Sequence, residues 1–244
     1  METKQLDQHF LKDDEVIQKM IESITSKDTV LEIGPGKGAI TKELAKKAKK
    51  VVAVELDETL KDSLKELPEN VEIIYGNTLG LIDKLKFNKI VANIPFSISE
   101  PLFKKLVKLN FESAVLLIGK NFYDLLVSEE SKLSTISKVF FGIEKISDVP
   151  RDAFEPEPGV DSLLVSITKR KSELDQKEQI IKKIVQQDDK LIKNALMYAF
   201  MRVKNCTKKQ AREEIAKLGL KEDILEENVW HLPNEGFKEA VKRI

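Results

Sequence analysis

The stretch Val30-Leu-Glu-Ile-Gly-Pro-Gly-Lys-Gly-Ala39 decides the fold of this chain. Its apolar run predicts a buried strand that ends in a glycine-rich loop, and the loop opens a predicted helix over residues 39–48. A second apolar run, Val51-Val-Ala-Val54, ends in the carboxylate of Glu55. A strand, a tight glycine turn and an acid closing the next strand make up a nucleotide-binding half-domain. The glycines let the backbone approach a ligand closely, and the acid can accept from both hydroxyls of a ribose.

The chemistry of the glycine loop indicates which nucleotide it would bind. Gly34-Pro-Gly-Lys-Gly38 lacks the spacing of the dinucleotide motif G-x-G-x-x-G, and no Gly-Lys-Ser/Thr follows to make a P-loop. Pro35 removes one backbone donor, and no arginine lies nearby to hold a phosphate. S-adenosylmethionine fits such a loop, because it has a ribose, an adenine and a sulfonium but no phosphate. The alternative is a glycine turn that only packs a helix on a sheet, and the position of Glu55 favours the ligand.

The composition bounds the class of protein. The 244 residues, of which 41% are hydrophobic, suffice for one large domain or for one domain with a smaller one. The single cysteine, Cys206, excludes a disulfide scaffold and a cysteine zinc site. With only His9 and His231 as histidines, no metal site is expected. The polar N-terminus and the lack of a long apolar run predict a cytoplasmic protein without membrane attachment, and we expect a monomer.

Charge is balanced in total but not along the chain. The sequence has 41 Lys+Arg and 41 Asp+Glu, and residues 171–244 carry an excess of +3. A zero total argues against a strongly basic nucleic-acid binder, yet it leaves room for a local basic patch. Six residues form the candidate patch, for which the alternative is an ordinary solvated helix face: Arg202, Lys204, Lys208, Lys209, Arg212 and Lys217.

Strand and helix signals alternate over the first 170 residues. The predicted strands are short and rich in Val, Ile and Leu, as buried parallel strands are, and cover residues 29–33, 51–55, 71–75, 89–92, 113–118, 144–149 and 161–168. Helices are predicted over residues 14–24, 39–48, 58–66, 99–109 and 120–128. This alternation predicts an α/β fold with a Rossmann-like doubly wound sheet, whose last two strands form a hairpin-like pair at one edge.

Strand signals end near Lys171. Helices are predicted over residues 174–185, 190–202, 208–217 and 235–243, with Thr207 as the N-cap of the third and Gly219 beyond its end. We therefore predict an α/β domain over residues 1–172 and a small all-α domain over residues 173–244.

Asn93-Ile94-Pro95-Phe96 follows the fourth predicted strand, at the sheet edge where the ends of the other strands converge. The Asn93 amide and the Ile94 carbonyl, held beside a proline, can present two acceptors to one planar NH2 group, and Phe96 offers a flat face to a base. An adenine amine is a poor nucleophile, and two acceptors on its N–H bonds raise the electron density on its nitrogen. A base in such a pocket must leave its stack. The alternative is a strand-ending turn that happens to contain Asn and Pro.

These motifs make the chain resemble the small-subunit ribosomal RNA adenine dimethyltransferase family (the KsgA/Dim group), which is related to the erythromycin-resistance rRNA methylases. The resemblance extends over nearly the whole chain and includes two further stretches, Asp7-Gln-His-Phe-Leu11 and Phe154-Glu-Pro-Glu-Pro-Gly-Val-Asp-Ser162. It implies dimethylation of two adjacent adenosines near the end of small-subunit ribosomal RNA, S-adenosylmethionine as cofactor, and an immature small ribosomal subunit as partner. It also implies that the C-terminal helices help to dock this subunit.

The resemblance further implies a role for each matching residue. Gln8, His9 and Leu11 would border the methionine end of the cofactor, Gly34 and Gly36 would pass beneath it, Glu55 would hold the ribose, and Asn77 would contact the adenine. Asn93 would also border the cofactor and, with Ile94 and Pro95, grip the target amine. Phe96 and Phe154 would enclose the target base, with Lys120 on the substrate side.

The chain departs from the family pattern at three places. Asn77 stands where the family has aspartate, which removes charge assistance from an adenine contact. Gly119-Lys120-Asn121-Phe122-Tyr123-Asp124 replaces a Gln-Lys-Glu-x-Ala run, in which only Lys120 matches. Gln187-Asp188-Asp189-Lys190 replaces a basic cluster, which weakens phosphate contact. Two alternatives therefore accompany the dimethyltransferase hypothesis. One is a ribosome-assembly factor with weak or no methyltransferase activity, and the other is methylation of a protein or DNA amine.

Overall fold

The computed structural model of the chain describes residues 8–244. Its strands are β1 (Phe10–Leu11), β2 (Thr29–Ile33), β3 (Lys50–Glu55), β4 (Val71–Tyr75), β5 (Lys89–Asn93), β6 (Ser113–Gly119), β7 (Phe141–Val149), β8 (Phe154–Glu155) and β9 (Ser162–Lys169).

The helices alternate with the strands in the first part of the chain and follow one another in the last part. They are α1 (Asp14–Ile21), α2 (Ala39–Lys47), α3 (Thr78–Leu81), α4 (Ser99–Lys108), α5 (Lys120–Val127), α6 (Lys132–Phe140), α7 (Gln176–Val185), α8 (Ile192–Val203), α9 (Lys208–Lys217), α10 (Glu222–Leu225) and α11 (Asn234–Arg243).

Seven of the strands form one sheet in the order β4-β3-β2-β5-β6-β9-β7. The five strands from β4 to β6 pair in parallel, and β9 runs antiparallel to β6. The chain winds outward from β2 through β3 to β4, then returns to place β5 on the other side of β2. A doubly wound sheet binds ligands in the crevice at such a reversal, so the topology sets the site beside the ends of β2 and β5. The predicted α/β fold class is confirmed.

Burial on both faces explains why the central strands are continuous apolar runs. Val30 and Leu31 in β2 and Val51 in β3 are fully buried. Helix α1 covers one face of the sheet with Val16, Ile17, Met20 and Ile21, which recur at helical spacing and are all buried. The Asp13 side chain accepts from the backbone N–H of Val16 at 3.0 Å and so caps the start of this helix.

The chain divides into two compact units. The first contains residues up to Asp124 together with Gly142–Lys169, and the second contains Leu125–Phe141 together with Arg170–Ile244. This division places Leu125–Phe141 with the C-terminal helices, whereas the predicted boundary between residues 172 and 173 assigns it to the α/β domain. Arg170 illustrates the packing inside the second unit, because its guanidinium bonds the Lys138 carbonyl at 2.8 Å and the Glu178 carboxylate at 2.6 Å.

Helix α6 is the main element that the sequence analysis missed. Leu133, Ile136, Val139 and Phe140 are buried along one face of it, and the Ser131 hydroxyl accepts from the Ser134 N–H at the helix start. The helix predicted over residues 58–66 is instead a 3₁₀ helix, Glu58–Leu64. Within residues 8–244, no helix combines the length and the apolar character needed to cross a membrane.

Candidate functional site

A cavity of about 380 Å³ lies at the reversal of the sheet, within the first unit. The segments after β2, β3, β4 and β5 line it, and the segment Gln8–Lys12 and strand β8 complete its wall. Its volume falls within the range of small-molecule and cofactor sites. The cavity therefore brings together nearly all of the residues that the sequence analysis assigned to the cofactor and the target base.

The three glycines of the loop after β2 have their backbone N–H groups engaged inside the protein. Gly34 donates to the Val54 carbonyl at 2.9 Å, Gly36 to the Glu55 carboxylate at 3.0 Å, and Gly38 to the Pro35 carbonyl at 2.8 Å. All three have positive φ, which glycine adopts without strain. A phosphate-binding loop keeps such N–H groups for its ligand, so this loop does not form a phosphate cradle.

Gly36 also makes the closest contact between the loop and the N-terminal segment. A Cβ atom built on Gly36 would lie 2.9 Å from Cδ1 of Phe10, closer than real Cβ atoms come to other heavy atoms. The Lys37 ammonium lies 4.7 Å from the centre of the Phe10 ring. Phe10 thus covers the loop, and only a glycine fits beneath it.

Glu55 is held rigidly at the mouth of this loop. The residue is 5% exposed, and its carboxylate oxygens accept from Gly36 N at 3.0 Å and from Asp57 N at 2.8 Å. Each oxygen retains a lone pair for a ligand. Gln8 donates through Nε2 to Oδ2 of Asp57 at 2.9 Å, so the Gln8 side chain lies beside Asp57. The arrangement suits recognition of a diol by a preorganised carboxylate.

Asn77 follows β4 and lines the cavity, but its side chain also caps a helix. Oδ1 accepts from the Leu79 N–H at 3.0 Å and caps helix α3. The side chain therefore offers a ligand the second lone pair of Oδ1 and its NH2 group. The contact with a cofactor adenine stays a prediction.

Asn93 is oriented by the N-terminal segment. Its Nδ2 donates to the backbone carbonyl of His9 at 2.7 Å. This hydrogen bond fixes which end of the amide is the nitrogen, and Oδ1 is the end that points away from the bond. The Ile94 N–H donates to the Leu117 carbonyl at 3.1 Å and fixes the next peptide. Asn93 and Ile94 both line the cavity, so the amide oxygen and the adjacent backbone carbonyl are held in one turn.

Phe96 is half-buried and packs against the backbone of Gly119, where a Cβ would lie 3.2 Å from the ring. Pro95 accepts from the Ile98 N–H at 3.0 Å and begins the 3₁₀ turn that carries Phe96. Phe154 lines the cavity but is only 1% exposed, so it forms the floor of the pocket rather than an open stacking surface. Leu11 is 5% exposed and pairs with Phe154 through the short β1–β8 ladder.

Lys120 is not among the described residues that line the cavity. Its ammonium pairs with Asp124 at 3.3 Å, and its backbone N–H donates to the Asp161 carbonyl at 2.8 Å. The prediction that Lys120 contacts the substrate therefore rests on the resemblance alone.

Glu32 lies on β2 and is the least expected charge near the site. It is 1% exposed, and neither its carboxylate oxygens nor the Thr41 hydroxyl has a hydrogen-bond partner among the described residues. Burial raises the pKa of Glu32 to about 8, and the negative charge of Glu55 adds to this effect. The raised pKa favours the neutral form of the Glu32 carboxyl group.

Three further residues of this region had no predicted role: Phe10, Asp57 and Glu32. Phe10 stands between His9 and Leu11 in a quoted stretch, and Asp57 lies two residues after Glu55. A charged residue inside an apolar strand run marks Glu32 as unusual, and this signal was available from the sequence alone.

Comparison with known proteins adds a family and a fold. Residues 2–228 match the sequence model of the family described as ribosomal RNA adenine dimethylase. A "Probable ribosomal RNA small subunit methyltransferase A" of Methanococcus maripaludis is 42% identical over 212 aligned positions, which cover 80% of this chain and 81% of the relative. A protein of the same name from Methanopyrus kandleri is 36% identical and covers 99% of this chain and 91% of its own length.

Two solved structures share the architecture over nearly the whole chain. A dimethyladenosine transferase from Plasmodium falciparum has a TM-score of 0.64 and 26% identity, and covers 95% of both chains. The 23S rRNA methyltransferase ErmE has a TM-score of 0.60 and 21% identity, and covers 96% of this chain and 98% of its own. The likeness to ErmE is a likeness of fold.

Proposed function

This chain belongs to the ribosomal RNA adenine dimethylase family, and we propose that it dimethylates N6 of two adjacent adenosines in small-subunit ribosomal RNA. Family membership makes it a methyltransferase of ribosomal RNA that depends on S-adenosylmethionine. The finer statement, which names the adenosines and the immature small subunit as partner, is our proposal. The observation that carries it is the Asn93 amide, which lines the cavity and is oriented by its hydrogen bond to the His9 carbonyl.

The residues of the cavity fit the cofactor. Glu55 presents two preorganised acceptors for ribose hydroxyls. The glycine loop has no N–H of its three glycines to offer a phosphate, and the cofactor has no phosphate to bind. The contact between Gly36 and Phe10 keeps a side chain out of the loop. Gln8, Leu11, Gly34 and Asn77, together with the main chain of His9, would border the same ligand. When bound, S-adenosylmethionine supplies a methyl group activated by its sulfonium.

The target amine would be held by two acceptors in one turn. Asn93 Oδ1 and the Ile94 carbonyl would accept from the two N–H bonds of the adenine amine. These hydrogen bonds would localise electron density on the nitrogen. After transfer of the methyl group, N6 would carry a positive charge and lose one proton to water. No strong base is needed, and alignment of the amine within the pocket supplies most of the acceleration.

The target base would leave its stack and rest on Phe96, with Phe154 as the floor of the pocket. The Phe96 ring is half-buried and packs on the glycine backbone beneath it, so it can stack on the base at little entropic cost. Pro95 restricts the turn between the amine acceptors and the stacking ring.

The helical unit would dock the RNA. Lys204 and Lys217 of the predicted basic patch both pair with Glu214, at 2.8 and 2.9 Å, which offsets part of their charge. The other four residues of the patch are exposed and form no ion pair with a described residue; we call them the α8–α9 basic surface: Arg202, Lys208, Lys209 and Arg212. Tyr198, 37% exposed, lies beneath the Arg202 guanidinium and offers a stacking face. The protein would act as a monomer, in the cytoplasm.

Transfer of labelled methyl groups tests the proposal. We expect wild-type protein to form N6,N6-dimethyladenosine in immature small subunits, and we expect no product when the two target adenosines are replaced by guanosines. Asn93→Ala should lower kcat by about 10²–10³, as removal of one transition-state hydrogen-bonding group does in other enzymes. Absence of product from wild-type protein that binds the cofactor in calorimetry would overturn the proposal.

One observation favours the alternative of an assembly factor with little activity. The loop before α8 carries Asp188 and Asp189, and only Lys190 is basic, itself paired with Asp189 at 2.7 Å. Such a loop repels phosphate. Complementation separates the two functions: if Asn93→Ala supports subunit maturation as well as wild type while product is absent, binding rather than methylation is the essential function.

A further inference from the structure

The segment that begins at Gln8 directs its side chains to two different parts of the cavity. Gln8 bonds Asp57, and Phe10 covers Gly36, so both serve the cofactor loop. His9, between them, makes different contacts, with Asn93, Phe96 and Pro156. The resemblance assigns Gln8, His9 and Leu11 of this segment to the cofactor, whereas the side chain of His9 contacts Pro156 and Phe96.

His9 contacts three residues in two segments that would enclose the target base. Its backbone carbonyl accepts from Nδ2 of Asn93 at 2.7 Å. Its imidazole Nδ1 lies 2.9 Å from the Pro156 carbonyl, in the loop that follows β8. Its ring lies 6.2 Å from the Phe96 ring, centre to centre, at an interplanar angle of 34°. This distance falls within the range of attractive ring pairs.

We propose that His9 is a positioning residue for the target adenine, which holds the Asn93–Phe96 turn and the loop after Phe154 at a fixed separation. The inference rests on the proposed function, since it takes the turn and the loop as the two sides of the target pocket. The main-chain atom of His9 sets the orientation of the Asn93 amide, and the side chain joins the stacking residue to the opposite loop. His9 thus acts through Asn93 and Phe96.

The hydrogen bond to Pro156 predicts which nitrogen of the His9 imidazole carries the proton. A carbonyl oxygen can only accept, so Nδ1 must carry the proton. The neutral ring is therefore the Nδ1–H tautomer, which is the less common form in water. The chain has only two histidines, His9 and His231, so ¹⁵N spectra of the imidazoles contain two sets of signals, and His231→Ala assigns them.

Three substitutions separate the hydrogen bond from the bulk of the ring. Asn places its amide nitrogen where His has Nδ1, so His9→Asn can still donate to Pro156. Gln places its amide nitrogen near the position of Nε2, so His9→Gln cannot. His9→Ala removes both the donor and the ring. All three retain the backbone carbonyl that accepts from Asn93.

We expect His9→Ala and His9→Gln to raise KM for the RNA about tenfold, the worth of one hydrogen bond in the pocket. His9→Asn should restore KM to within about threefold of wild type. The dissociation constant for S-adenosylmethionine should stay within twofold in all three variants, which a cofactor-binding role or a general loss of folding would not allow. The ¹⁵N spectra should show the Nδ1–H tautomer of His9 in the wild-type protein.

Three results would overturn the inference while leaving the proposed function intact: equal KM values for His9→Asn and His9→Gln, a cofactor affinity that falls as much as the RNA affinity, or an Nε2–H tautomer. Wild-type protein that makes no dimethyladenosine would instead overturn the proposed function, so the two failures are distinct.

Discussion

Gly36 shows how one residue can serve two neighbours at once. Its N–H orients Glu55, and its missing side chain makes room for the Phe10 ring. Gly34, two residues earlier, has a similar positive φ, of 68° against 58°, but nothing lies within 4 Å of a Cβ built on it. Both glycines therefore adopt a left-handed backbone conformation, but only Gly36 is in close contact with another side chain.

We expect Gly36→Ala to lower the free energy of unfolding by more than the left-handed backbone alone, which costs about 1–2 kcal/mol. The added methyl group must displace Phe10, and cofactor affinity should fall as well. Gly34→Ala is the control and should show the backbone cost only. Urea unfolding and calorimetric titration with S-adenosylmethionine measure both effects. Equal losses in the two variants would show that the Phe10 contact is unimportant.

The raised pKa of Glu32 predicts how stability changes with pH. Its pKa of about 8 in the folded protein lies above its ordinary value of 4.5. Below pH 4.5 the Glu32 carboxyl group is protonated in both the folded and the unfolded protein. Between pH 4.5 and 8 it stays protonated only in the folded protein. Stability from this group is therefore greatest at low pH and is lost as pH rises toward 8, by about 1.4 kcal/mol per pH unit.

The Glu32→Gln variant isolates this effect, since an amide of the same shape cannot ionise. We expect its free energy of unfolding, measured in urea from pH 5 to pH 8.5, to exceed that of wild type increasingly as pH rises. A difference between the two proteins that does not change with pH would contradict the assignment.

At the scale of single elements, helix α9 shows how local chemistry sets a helix start. The Thr207 hydroxyl accepts from the Gln210 N–H at 3.3 Å, and the Gln210 side chain accepts from the Thr207 N–H at 2.9 Å. This reciprocal pair satisfies two backbone donors at once. Gly219, with a φ of 58°, follows the helix and allows the chain to leave it.

Removal of this cap should destabilise the helical unit. We expect Thr207→Ala to lower the free energy of unfolding by about 1 kcal/mol, the usual worth of an N-cap side chain. Thr207→Ser retains the hydroxyl and should stay close to wild type. Urea unfolding followed by circular dichroism at the helical band provides the measurement, and a loss of the same size in both variants would point to packing of the methyl group instead.

At the scale of the whole molecule, the two units differ in charge as well as in structure. The site lies in the α/β unit, and the α8–α9 basic surface lies in the helical unit. Binding of RNA phosphates releases counterions, so the affinity should fall with salt in proportion to the number of phosphate contacts.

Neutralisation of the α8–α9 basic surface by glutamine should weaken RNA binding without changing cofactor affinity. The slope of log affinity against log salt should decrease by up to about 3 if all four side chains contact phosphates. Filter binding at several salt concentrations measures the slope. An unchanged slope would assign these residues to an ordinary solvated face.

A charge-matched control separates the surface from the net charge of the protein. It replaces four lysines of the α/β unit by glutamine, each of which already pairs with a nearby carboxylate: Lys46, Lys61, Lys65 and Lys145. The control should leave the slope within about one unit of wild type.

The sequence by itself determined the α/β class, the strands of the sheet and the motifs of the cavity. Strands that are buried on both faces must be continuous apolar runs. A loop whose N–H groups bond within the protein needs glycines and a proline at a fixed spacing. These are local constraints, so β2 and β4 were predicted to the residue. The basic patch was also visible, but not which of its members are neutralised by Glu214.

Only the tertiary structure decided how the cavity is closed and oriented. His9 bonds Asn93 and Pro156, which are 84 and 147 residues away in sequence, and Leu125–Phe141 packs with helices that begin some distance later in the chain. Nothing local distinguishes these partners from others of the same type. Contacts between distant segments depend on how whole elements pack, and that packing is set by the shape of the assembled core rather than by any one stretch of residues.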